Sequence, residues 1–124
     1  MRRNEITPEL IELSKRAKTL GFPQDVDEGD WTYLKTDAFG ENLILVTAIH
    51  NNTLCEKEFL ILSFSRCLEW LEERFDGIQI LRKGNLRTLW MRKNHDYDYK
   101  KYIQGKMSRD ELGAKAVVKI LEEQ

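Results

Sequence analysis

Residues 59–91 read FLILSFSRCLEWLEERFDGIQILRKGNLRTLWM, and the hydrophobic period changes twice along them. Residues 58–62 form a short, largely apolar run of the kind a buried strand shows. Ser63 stands where a helix cap belongs, because its side-chain oxygen can accept from an unpaired amide of the first turn. Phe64, Cys67, Leu68, Leu71 and Phe75 then recur at helical spacing, while Arg66, Glu69, Glu72 and Glu73 fall on the opposite side. Gly77 is expected to end this helix through a positive φ. From Ile78 onward the period is two, and Gly84-Asn85 suits a two-residue type II′ hairpin loop with glycine in its first position.

That loop pairs Arg82 with Arg87, Leu81 with Thr88, Ile80 with Leu89, Gln79 with Trp90 and Ile78 with Met91. Ile78, Ile80, Leu89 and Met91 then share one face, and a slip of one residue would mix them with polar positions. Arg82 and Arg87 meet at the tip of that face. Two like charges there either splay into water or hold an anion between them.

A chain of 124 residues suits one domain spanning residues 1–124, able to bury a sizeable core without a staple. Its two cysteines, Cys55 and Cys67, fit no metal spacing, and Cys67 falls on the apolar helix stripe. No apolar run is long enough to span a bilayer, and no apolar core follows the N-terminal arginines, so the expectation is a soluble, reduced, cytoplasmic protein. The net charge of −1 conceals an asymmetry: residues 1–76 carry nine Lys/Arg against fifteen Asp/Glu, residues 82–107 eight against two. Opposite-sign regions are natural partner surfaces if folding gathers them.

Upstream, Thr7-Pro8-Glu9 opens a helix with a cap, a proline where no amide is needed and an acid at the positive end of the dipole. Leu10, Leu13, Ala17 and Leu20 give it an apolar face, and Gly21 closes it. The following acids, Asp25, Asp27, Glu28 and Asp30, invite a calcium reading. An EF-hand loop from Asp25 would need glycine at 30 and glutamate at 36, where the chain has Asp30 and Thr36, so a solvated turn is expected. Residues 31–35 read as a strand, 37–42 as a turn, and 43–49 as a continuous apolar run expected at the centre of the sheet or covered on both faces. His50-Asn51-Asn52 reads as a reversal, and whether 35–57 joins the sheet or forms an arm is open.

After the hairpin, KNHDYDYKKYIQGKM interleaves bases with Tyr97, Tyr99 and Tyr102. Cations that track phosphates and rings that stack on bases are what a single-stranded nucleic acid requires. An edge strand uses the same residues, lysines discouraging strand addition and tyrosines packing with one side wet, and Asp96 and Asp98 favour that reading. The candidate nucleic-acid or anion residues are therefore Arg82, Lys83, Arg87, Trp90, Arg92, Lys93, Tyr97, Tyr99, Lys100 and Lys101. His95-Asp96 has no further ligand at metal spacing. Ser108 to Glu111 then forms a capping box for a closing helix whose apolar stripe is Leu112, Ala116, Val117, Ile120 and Leu121.

No glycine-rich phosphate loop, HExxH, GxSxG or paired CxxC occurs, so no cofactor or catalytic residue is assigned. Convergence of Asp37, Glu56 and Glu58 would instead make a metal-dependent hydrolase of nuclease type.

Three segments, LSKRAKTLGF, SFSRCLEWLEERFDGIQI and SRDELGAKAVVKILEE, together resemble a family of small uncharacterised proteins of bacteriophages and prophages of gut bacteria. The resemblance covers about half of the chain, implies a compact α+β domain and transfers no catalytic residue. The expected fold is α+β: a mainly antiparallel sheet of about five strands with three helices over one face, in the order α-β-β-β-α-β-β-α. The expected function is a non-catalytic binding or adaptor protein of phage or bacterial origin, acting on a protein partner or by self-association. Nucleic-acid binding through residues 82–107 is the alternative.

Overall fold

The computed structural model of the chain describes residues 1–47 and 54–124, which exclude His50 and the reversal expected around it. They form three α-helices and six strands, in an α+β arrangement that divides into two compact units, Met1–Leu62 and Ser63–Gln124. In place of one sheet of about five strands there are two antiparallel sheets of three, ordered β2-β1-β3 and β4-β5-β6. The sixth strand is the one that the basic-aromatic segment forms as an edge.

In the first unit, α1 (Pro8–Thr19) is capped by Thr7, whose side chain accepts from the Leu10 amide. Its end is built on Gly21: φ is +100°, the Gly21 amide donates to Lys18 O and the Phe22 amide to Ala17 O. This pair of bonds is the Schellman closure that a left-handed residue permits. β1 (Trp31–Thr36) is the central strand, flanked by β2 (Gly40–Leu45) and the short β3 (Phe59–Leu60). The apolar run starting at Leu43 is thus an edge strand rather than a central one, with Leu43 and Ile44 half-buried and Leu45 exposed. β1 and β2 make a hairpin, so residues 35–36 and 40–45 lie in strands of the sheet and 37–39 form the turn between them.

The outer rim of β3 is taken up by side chains of the same unit. The Ile61 amide points inward to Trp31 O. The Leu60 and Leu62 amides point the other way, to Gln24 Oε1 and Ser14 Oγ, and Lys18 Nζ donates to the Glu56 and Glu58 carbonyls. A rim so occupied satisfies the polar backbone that burial would otherwise leave unpaired.

In the second unit, α2 (Phe64–Glu72) starts at Ser63, which accepts from the Arg66 amide, and α3 (Arg109–Glu122) starts at Ser108, which accepts from Glu111. Phe75 lies beyond α2 yet remains in the core. Gly77 does not end the helix: its φ is not positive, and it is the first residue of β4 (Gly77–Lys83). Its missing side chain has another use, because a Cβ there would lie 2.4 Å from the Tyr99 hydroxyl.

β4 and β5 (Leu86–Arg92) pair as their pattern requires, Ile78 with Met91, Ile80 with Leu89 and Arg82 with Arg87. Gly84 alone in the loop has a positive φ, +62°, which fits a type II′ turn. β6 (Lys100–Lys106) adds to β5 with a bulge, since Leu89 pairs with Ile103 and Trp90 with Lys101, leaving Tyr102 as the extra residue. Lys119 Nζ bonds the Tyr102 carbonyl at 3.0 Å, and the Tyr102 ring meets Phe75 edge-on.

The helices α2 and α3 pack closely. A Cβ on Gly113 would approach Cys67 Cβ to 2.9 Å and Cys67 Sγ to 3.3 Å. Burial, helped by the nearby Asp110 charge, pushes the Cys67 thiol up, so it stays protonated as a small apolar filler. Gly113→Ala is therefore expected to destabilise the protein by about 1–3 kcal/mol despite alanine's better helix propensity, because the helices must part to admit the methyl group. Chemical denaturation measures the difference; a gain in stability would mean that the contact is loose.

Candidate nucleic-acid interface

Successive side chains of a strand alternate between faces, and directly paired residues share one. In the second sheet one face therefore carries Ile78, Ile80, Leu89, Met91 and Ile103, the side on which α2 and α3 lie. Leu89 and Met91 are each 1% exposed, and Ile78 and Ile80 are half-buried beside Phe64 and Leu68 of α2. The opposite face has no helix of its own unit over it. It presents Gln79, Leu81 and Lys83 on β4, Thr88, Trp90 and Arg92 on β5, and Lys101, Gln104 and Lys106 on β6.

The sheet is basic throughout. Its three strands hold seven Lys/Arg and no Asp or Glu. Four of the seven, Lys83, Arg92, Lys101 and Lys106, stand on the open face. A polar row crosses the middle, Lys101 Nζ donating to Gln104 Oε1 at 3.3 Å and Gln104 Nε2 to Thr88 Oγ1 at 3.1 Å. At one end Tyr99 folds over the sheet. Its hydroxyl rests against Gly77, and the Arg92 guanidinium carbon lies 5.3 Å from its ring centre, within cation–π range. Trp90 Nε1 and Arg92 Nε are both shielded from water and have no hydrogen-bond partner among the described residues.

The ten residues singled out from the sequence are thereby divided. Lys83, Trp90, Arg92, Tyr99 and Lys101 come together on the open face. Arg82, Arg87 and Lys100 belong to register positions of the other face. Of these two arginines, Arg82 Nε donates to Gly84 O, and Arg87 Nη1 to Met107 O at the start of α3. Lys93 and Tyr97 lie in the turn before β6, where Lys93 Nζ is 5.8 Å from the Phe75 ring and Tyr97 is 99% exposed. Asn94 and His95 carry that turn with φ of +56° and +58°, and Asp76 anchors it by accepting from the His95 amide. Lys106, Gln104 and Thr88 were missed. Extending the period of two from the hairpin into the third strand finds Lys106 and Gln104.

The three acids considered for a hydrolase do not meet. Asp37 and Glu56 line a cavity in the first unit, whereas Glu58 is buried, its Oε2 accepting from Thr32 Oγ1 at 2.6 Å and its Oε1 from the Cys55 amide at 3.2 Å. Among the described residues no group of three or more His, Cys, Asp or Glu side chains is placed to hold a metal ion, and no helix is long and apolar enough to cross a membrane. No family model, curated protein or solved structure matches the chain.

Proposed function

We propose that this is a non-catalytic binding protein that holds single-stranded nucleic acid on the open face of its β4-β5-β6 sheet. The observation that carries the reading is a sheet without a single carboxylate, whose open face sets Trp90 and Tyr99 among four cations. Cations spaced along strands neutralise successive phosphates, and aromatic faces accept any base, so binding would tolerate sequence and respond strongly to salt. Trp90 and Tyr99 supply the stacking surfaces. Arg92, already against the Tyr99 ring, is placed to serve phosphate and ring together.

A protein partner on the same face is the second reading. Leu81, 56% exposed among these polar residues, favours it. Origin in a phage or bacterium rests on the sequence resemblance alone.

Titration of a fluorescent single-stranded oligonucleotide against salt tests the proposal. If the four cations of the open face each meet a phosphate, log K is expected to fall against log salt with a slope of about −3. Absence of binding at low salt would end the nucleic-acid reading and leave the protein-partner one.

A further inference from the structure

The first unit contains a second site of different character. A cavity of about 610 Å³, in the range that small-molecule sites occupy, opens between α1 and the β1 and β2 strands. Its apolar part is made by Ile11, Tyr33 and Phe59, the two rings lying 5.1 Å apart and tilted by 33°. Tyr33 and Phe59 are direct partners across β1 and β3, so the ring pair is fixed by the register of the sheet.

Charge of both signs lines the cavity, four carboxylates (Glu12, Asp37, Glu41 and Glu56) and four lysines (Lys15, Lys18, Lys35 and Lys57). Glu41 stands diagonally across the β1–β2 pair from Tyr33, on the same face of the sheet, and Glu12 of α1 lines the same cavity. Desolvation and the nearby Glu41 and Glu12 carboxylates push the Tyr33 phenol up, so it stays a neutral donor in neutral solution. Lys15, Lys35 and Lys57 also line the cavity. Lys18 is committed elsewhere, since its ammonium holds the Glu58 carbonyl at 2.8 Å and that of Glu56 as well. Among the described residues none of the other three lysines forms an ion pair with Glu12 or Glu41. Lys35 and Glu41 are direct partners across the β1–β2 hairpin, yet no ion pair joins them. Both signs of charge therefore face one cavity without neutralising each other.

An anion alone would meet the four carboxylates of the lining, and a cation alone would leave the lysines unused. We propose that the cavity binds a small zwitterion of about dipeptide size. Its ammonium sits over the Tyr33 ring between Glu41 and Glu12, and its carboxylate is taken by the lysines. A cation against an aromatic face flanked by carboxylates is a favourable arrangement, and a carboxylate gains charge-assisted hydrogen bonds from ammonium groups. The proposal concerns the first unit only and stands whether or not the second binds nucleic acid.

Titration with alanyl-alanine, followed through the Tyr33 ring resonances, tests it. N-acetyl-alanyl-alanine lacks the ammonium and alanyl-alanine amide lacks the carboxylate. The free dipeptide is expected to shift Tyr33 at millimolar concentration, and each blocked form to bind roughly tenfold more weakly through loss of one charged contact. Glu41→Gln, on an exposed strand position, is expected to weaken the free dipeptide and to leave the already weak acetylated form unchanged. Equal shifts from all three compounds, or no shift of Tyr33 by the free dipeptide, would overturn the assignment.

Discussion

Leu89→Ala is expected to cost about 2–5 kcal/mol of stability, whereas Leu81→Ala, in the same hairpin, changes it by less than about 0.5 kcal/mol. The residue type and the substitution are identical. Only the side of the sheet differs: Leu89 is 1% exposed beneath the helices and Leu81 is 56% exposed on the open face. Deleting the Leu89 side chain removes its transfer free energy and leaves a hole that Met91, Ile103 and α3 can fill only in part. Urea unfolding followed by far-ultraviolet circular dichroism measures both variants. Similar losses at the two positions would refute the assignment of faces on which the proposed interface stands.

The second large effect concerns the interface itself. Trp90→Ala is expected to weaken single-stranded DNA binding by about 1–3 kcal/mol, or roughly 5- to 150-fold, which is the worth of one stacked base. Arg92→Gln should reduce the salt slope by about 0.7 along with the affinity, as loss of a single phosphate contact does on a single strand. Arg82→Gln supplies the control. It removes the same charge from the opposite face and should leave base stacking intact while changing affinity little. Gly77→Ala is informative in a different way: its methyl group must displace the Tyr99 hydroxyl, a flexible side-chain end, so binding should fall with only a small loss of stability. If Arg82→Gln weakens binding as much as Arg92→Gln, the ligand is held by general charge and not by this face.

The hairpin was legible because local chemistry and hydrophobic pattern agree there: Gly84 admits the left-handed turn, and alternation from Ile78 to Met91 permits one register. The three helix starts were legible for the same reason, each marked by a hydroxyl at the cap. What pattern could not supply was which strands share a sheet. β3 and β4 are separated by α2 and their hydrogen bonds go to different partners, a tertiary choice that leaves no periodic trace. The apolar run from Leu43 misled because consecutive large side chains describe a covered strand, while here part of that run ends in exposed Leu45 at a sheet edge. Gly77 misled for a more specific reason. A glycine after a helix ordinarily signals a left-handed residue, and here its value is the space it leaves for a side chain twenty-two residues later. The candidate interface was half legible. Composition named the basic and aromatic residues, but the two sides of the sheet could be told apart only with the register of the third strand and its bulge at Tyr102.

The occupied rim of β3 has a consequence for association. Any foreign strand seeking to lengthen that sheet from this side would first have to dislodge Lys18, Ser14 and Gln24 from the backbone they hold. A two-residue strand, too short to guard itself by length, is thereby kept from templating aggregation by Gln24, which holds its Leu60 amide, and by Ser14 and Lys18 of α1, which hold the backbone on either side of it.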